Sequence, residues 1–164
     1  MVPYKDLHPI LGVLLDHRVD FVVIGASAAT LHGVPIAATF DLDITAATTR
    51  QNLSRLAGAL KQLKARLRVS ETDEGVNTPL DPKLLKRVSL LTLVTTHGPF
   101  DVLFTPLGSS TYEALKERSV ELHRFGNTLH VASIEDLVAM KRAAGREKDA
   151  AHLTALLSHL RSLS

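Results

Sequence analysis

Residues 20–25, Asp-Phe-Val-Val-Ile-Gly, constrain the fold more than any other stretch of this chain. The apolar run is short, β-branched and closed by glycine, which is the pattern of a strand buried on both faces. "ASAATLHG" (26–33) then reads as a short helix, stopped by Gly33 and the following Pro35. A second strand, "FDLDIT" (40–45), comes soon after. A strand, a helix and a strand within one short span require a sheet with helices packed against it.

The rest of the chain extends that order. Leu7, Ile10, Leu11, Leu14 and Leu15 recur at helical spacing, so residues 5–17 form an amphipathic opening helix. Thr48 or Thr49 caps a long helix with Leu53, Leu56, Ala57, Leu60, Leu63 and Leu67 on its apolar face and basic residues opposite. "RLRVS" (66–70) reads as a further strand, and "ETDEGVNTPLDP" (71–82) as a surface loop. "VSLLTLVTT" and "FDVLFT" are strands joined at His97-Gly98-Pro99, where a hairpin is the natural pairing. Ser110 with Glu113, and Ser133 with Asp136, have the spacing of capping boxes. The second box starts the helix "IEDLVAMKRAAG", which Gly145 ends or kinks, and Leu153, Leu156, Leu157, Leu160 and Leu163 form the stripe of a last helix. The expected fold class is α/β or α+β: a mixed β-sheet flanked by helices, with residues 1–130 as the core and 131–164 as a helical segment packed on it.

Composition narrows the function classes. With 164 residues, 45% hydrophobic and 22% charged, the chain fits one globular domain, and an aromatic content of 4% leaves its core to Leu, Val, Ala and Ile. The lack of cysteine excludes disulfides, thiolate metal sites and cysteine nucleophiles and fits a reducing compartment. With no secretory signal and no membrane-length apolar run, the expectation is a soluble cytoplasmic protein without membrane partners. Net charge is only +2, but Lys61, Lys64, Arg66 and Arg68 cluster, either as a solvated helix face or as a contact for an anionic partner.

Three aspartates carry the chemistry. Side chains alternate along a strand, so Asp41 and Asp43 face one way and Leu42 and Ile44 the other. Two carboxylates that close repel unless one takes a proton or a cation intervenes. Hard oxygen ligands of this kind suit Mg²⁺, held by one or two carboxylates together with substrate phosphates; a solvated acid pair bound to Lys or Arg is the alternative. Asp101 lies mid-strand in "GPFDVLFT", a disfavoured position, and points with Leu103 away from Phe100, Val102 and Phe104. It either pairs with a base or joins the other two acids around metal. Gly25 and the first turn of the helix after it, with Ser27, suit either a phosphate or a tight strand-to-helix turn. His32 beside Gly33 reads as a helix-end residue satisfied by carbonyls.

A strand ending in glycine, a short helix, Thr-x-Asp-x-Asp on the next strand and a lone Asp on a later one together resemble the nucleotidyltransferase superfamily of the DNA polymerase β type. "IGASAATLHGVPIAATFDLDI", "PFDVLF" and "SIEDLVAMKRAAGREKD" look most like the small bacterial AbiEii toxin-like branch, over about residues 20–155. The resemblance implies that Asp41, Asp43 and Asp101 hold two Mg²⁺ ions with a nucleoside triphosphate, and that Asp101 activates the attacking hydroxyl. It also implies that Gly25 and Ser27 hold phosphates, that Thr39 lines the pocket and that Lys141 contacts the triphosphate; Arg146 and Asp149 fit the motif, and a salt bridge between helices accounts for them equally. Two positions depart from the family pattern: Ala26 stands where Gly or Ser is usual, and Ala37 where an Arg often supplies a cationic donor. The implied activity is transfer of a nucleoside monophosphate from a triphosphate to a hydroxyl, with RNA, including tRNA 3′ ends, as first acceptor and protein hydroxyls as second. The basic stretch at 50–68 would contact an RNA backbone. The alternative is a non-catalytic binding module, an antitoxin or nucleotide sensor, partnered with a cognate toxin or antitoxin protein.

Overall fold

The computed structural model describes residues 8–36, 41–69, 75–105, 108, 111–124 and 127–163. Seven strands form one mixed sheet: β1 (Phe21–Ile24), β2 (Leu42–Ala46), β3 (Arg66–Leu67), β4 (Leu90–Thr95), β5 (Gly98–Leu103), β6 (Val120–Arg124) and β7 (Asn127–Val131), in the spatial order β3-β4-β5-β2-β1-β7-β6. β1 and β2 are antiparallel although a helix joins them, β2 runs parallel to β5, and β1 runs parallel to β7. β1 therefore sits inside the sheet with neighbours on both edges, which is why all four of its residues are buried.

The helices are α1 (Pro9–Asp16), α2 (Gly25–Leu31), α3 (Arg50–Gln62), α4 (Pro82–Arg87), α5 (Tyr112–Arg118), α6 (Ile134–Ala144) and α7 (Ala150–Ser162). Of these, α1 packs on α3 and α3 on α4, while α2 packs on α6 and α6 on α7. On the β2 and β5 strands Leu42, Ile44, Phe100 and Val102 are fully buried. Each contributes roughly 1.5–3 kcal/mol by leaving water. Their strand neighbours Asp43 and Asp101 point to the opposite face, so one strand pair builds both the core and the site.

Side-chain caps fix where helices begin. Thr49 accepts a hydrogen bond from Asn52 N, Thr111 from Ala114 N, and Ser133 from Asp136 N. Arg118 adds a bidentate pair to Asp136, at 2.9 and 2.8 Å. Buried Asn52 joins α3 to the sheet: its Oδ1 accepts from Asp20 N at 2.7 Å, and its Nδ2 donates to Asp20 O at 3.0 Å and Ala47 O at 2.7 Å.

Several expectations need correction. The helix beginning at Thr49 does not continue to Leu67; it stops at Gln62, Lys64 turns left-handed (φ 52°), and Arg66–Leu67 is already strand. Thr111 rather than Ser110 caps α5, since the first free N–H groups follow Thr111; Ser110 itself lies outside the described residues. Asp81 and Pro82 start α4 at the end of the stretch read as loop. The β6–β7 hairpin was not anticipated, because its histidines and charges dilute the alternation that marks a strand.

Candidate active site

At Gly25 the chain leaves β1 with φ of +68°, a conformation that glycine adopts without penalty. A Cβ placed there would collide with Oδ2 of Asp43. Glycine thus lets the start of α2 come directly against a carboxylate. Ser27 ties the same turn to β2, donating from its hydroxyl to Ile24 O at 3.2 Å and accepting from Asp43 N at 3.3 Å.

In the parallel register of β2 and β5, Asp43 stands directly opposite Asp101. Two carboxylates at adjacent positions, with Asp41 close by, cannot all stay ionised without help. Burial pushes the Asp43 carboxyl up to about 7, and the charges of Asp101 and Asp41 add to that, while Lys141 draws it down. Protonated Asp43 donates a hydrogen bond to the Asp101 carboxylate. Burial also raises the Asp101 pKa, with Asp41 adding to it, and the Arg68 charge and the Asp43 hydrogen bond oppose them.

These acids line one wall of a cavity of about 730 Å³. The other wall is α6 and α7. Lys141 donates to Asp149 Oδ1 at 2.9 Å, and Arg146 donates to Asp149 Oδ2 at 2.7 Å. The side chains of Asp149 and Lys141 are only 7% and 16% exposed, whereas that of Arg146 is 54% exposed, so the arginine alone reaches well into solvent. Burial raises the Asp149 pKa, but the hydrogen bonds and charges of Arg146 and Lys141 outweigh it and hold the group at about 2. Ile24, Ala29, Ile36, Leu137, Met140 and Leu156 give the cavity an apolar lining between the two polar walls. His152 lines it too, with a buried Nδ1 that has no hydrogen-bond partner among the described residues. An orphaned buried nitrogen calls for water or a ligand group.

Of the residues expected at a site, Gly25, Asp41, Asp43, Asp101 and Lys141 all line this one cavity. Ser27 holds the turn beneath it, and Thr39, like Ala37, lies outside the described residues. Lys141 is half-buried and bonds Asp149, and its charge reaches Asp43 on the acid wall. His32 bonds Ala132 O at 2.8 Å, away from the chemistry. Among the described residues no three His, Asp or Glu side chains already form a metal-binding cluster. The donor set nevertheless suits a hard divalent cation: all ligands are carboxylate oxygens, and one of them retains a proton at a pH where carboxylates ordinarily lose it. Sequence reading missed Arg68, whose signal was the Arg66/Arg68 alternation of a strand, and the depth at which Asp149 is held.

No protein-family model and no curated protein matches the sequence. Solved structures do match by shape. The lincosamide antibiotic adenylyltransferase LnuA, solved with lincomycin bound, superposes with a TM-score of 0.63 at 14% identity, covering 96% of this chain and 98% of that one. ANT(2")-Ia, in complex with adenylyl-2"-tobramycin, gives 0.58 at 15% identity, over 96% and 87% of the two chains. The TM1012 protein of Thermotoga maritima, assigned as a nucleotidyltransferase, gives 0.53 at 17% identity, over 96% of each chain. The chain has a nucleotidyltransferase-like fold, with C-terminal helices α6 and α7.

Proposed function

We propose that the protein is a Mg²⁺-dependent nucleotidyltransferase that moves a nucleoside monophosphate from a triphosphate to a hydroxyl and releases pyrophosphate. The observation that carries this reading is Asp43 opposite Asp101, with a proton held between them that a cation would displace. Asp41, Asp43 and Asp101 would hold the metal. Bound there, magnesium would polarise the phosphates and favour ionisation of the attacking hydroxyl.

The chain's own groups supply the rest. Asp101 receives the proton as the acceptor oxygen bonds to the α-phosphorus, and the bond from that phosphorus to the bridging oxygen breaks to release pyrophosphate. Gly25 lets the triphosphate approach the backbone, and Lys141 and Arg146 offer cationic donors from the facing wall. Ser27, in the turn beneath the cavity, would help hold the phosphates, and the family resemblance would put Thr39 beside the metal. The apolar lining beside Met140 and Leu156 suits a nucleobase, and His152 offers it a polar contact. We take RNA as the first acceptor, place the reaction in the cytoplasm, and read the chain as a relative of the AbiEii-like toxins with a cognate partner protein.

Incubation with each labelled nucleoside triphosphate, Mg²⁺ and total RNA tests the activity. Label transfer that disappears in Asp43→Ala supports it. Tight Mg²⁺-dependent nucleotide binding without transfer to RNA, protein or small hydroxyl compounds would instead mark a nucleotide sensor.

A further inference from the structure

A row of side chains crosses the sheet through the site. Asp43 pairs with Asp101 and Asp101 with Thr92, and Arg68 N, one residue beyond β3, donates to Thr92 O at 2.9 Å. Neighbours on such a row project to one face, so Arg68 rises beside the acids. From Asp101 it stands two strand spacings away, about 10 Å at the backbone, within the reach of an arginine side chain. Its charge acts on the Asp101 carboxylate. It is half-buried and forms no ion pair among the described residues. A Cβ at Gly75 would come within 2.7 Å of Arg66 Cβ and 2.8 Å of Val94 Cγ1, so the returning chain covers the Arg66 end of this face. Lys141 and Arg146, the cations of the triphosphate side, belong to α6 and the turn after it.

We propose that Arg68 anchors an anionic group on the acceptor, a phosphate next to the reactive hydroxyl, and thereby sets the acceptor class. This rests on the nucleotidyl-transfer reading, which assigns the triphosphate to the Lys141 side and leaves the Arg68 side of Asp101 to the acceptor. A guanidinium meets phosphate through two parallel charge-assisted hydrogen bonds, a fit that a neutral polyol lacks. A cationic amino sugar would be repelled there, with Arg66 on the same face adding to the effect. The phosphate can belong to an RNA backbone or to a small phosphorylated compound.

Transfer of labelled nucleotide is measured for wild type, Arg68→Lys and Arg68→Glu, with four acceptors: a short oligoribonucleotide with a free 3′ hydroxyl, AMP, adenosine and tobramycin. Calorimetry with Mg²⁺ and triphosphate runs in parallel. The expected result is transfer to the phosphate-bearing acceptors over adenosine and tobramycin. Arg68→Glu raises acceptor KM about tenfold, and Arg68→Lys recovers part of the loss, while triphosphate affinity stays within about twofold. Oligoribonucleotide over AMP identifies an RNA backbone; the reverse identifies a small phosphorylated acceptor. If triphosphate binds but adenosine or tobramycin is preferred, if no phosphate-bearing acceptor takes label, or if Arg68→Glu leaves acceptor KM unchanged, the acceptor assignment alone falls. Absence of triphosphate binding in the wild type overturns the reading of the site and this inference with it.

Discussion

Two aspartates line one cavity, the buried Asp149 and the partly buried Asp43, and the chain treats them in opposite ways. Asp149 on the helical wall has Lys141 and Arg146 within hydrogen-bond distance and stays ionised down to about pH 2. Asp43 on the sheet wall has two more carboxylates for company and keeps its proton up to about pH 7. The difference is the countercharge: Lys141 and Arg146 bond Asp149 directly, whereas at Asp43 the pull of Lys141 is outweighed by burial and two neighbouring carboxylates, and on the proposed reading a divalent cation would supply the rest.

The contrast can be broken at either end. Asp43→Asn leaves the shape and removes the charge that a metal would need, so transfer activity falls by about 1000-fold, equivalent to several kcal/mol. The same variant melts higher than wild type in metal-free buffer at pH 8, because the crowded charge is gone. A loss of activity accompanied by a loss of stability would assign Asp43 a structural role. At the other end, Asp149→Ala leaves the half-buried Lys141 without its partner and releases the exposed Arg146, and lowers stability by about 2 kcal/mol in denaturant titration. An unchanged midpoint would mean that the pair contributes nothing.

Gly25→Ala probes the close approach of the start of α2 to Asp43. Its Cβ meets the carboxylate and its φ is disfavoured, so stability drops by about 1–3 kcal/mol and metal-dependent binding weakens. A melting curve and a binding curve that both match wild type would contradict the close approach.

The smallest effect is on pH dependence. Asp43 has a raised folded pKa, so its contribution to stability is full below its ordinary value of 3.8 and is lost as pH rises through about 7. Asp149 has a lowered one, so its contribution is full above 3.8 and is lost as pH falls through about 2. Metal-free protein therefore melts about 5 °C lower at pH 8 than at pH 5, the slope flattens in Asp43→Asn, and Mg²⁺ restores the high-pH value. Equal slopes in wild type and variant would show that Asp43 ionises normally.

Much of the acid wall was legible in the sequence because strand alternation is local: parity alone put Asp41 with Asp43 and separated Asp101 from Phe100 and Val102. The cap at Ser133 and the β4–β5 hairpin were legible for the same reason. Pairing between distant strands is not local. Nothing near Arg68 announces that it will share a row with Thr92 and Asp101, since that depends on β3 adding to the edge of β4. The burial of Asp149 likewise depends on how α7 folds back against α6, which the leucine stripe implies only in outline. The β6–β7 hairpin was hidden by composition, because strands with one solvated face can carry Glu121 and His123 without cost.

Anomalous diffraction from crystals grown with Mn²⁺ and a non-hydrolysable triphosphate tests the central point most directly. The account predicts metal density bound by Asp41, Asp43 and Asp101, with the triphosphate running toward Lys141. Nucleotide bound in this cavity with no metal on these carboxylates, or metal found only elsewhere on the protein, would contradict it.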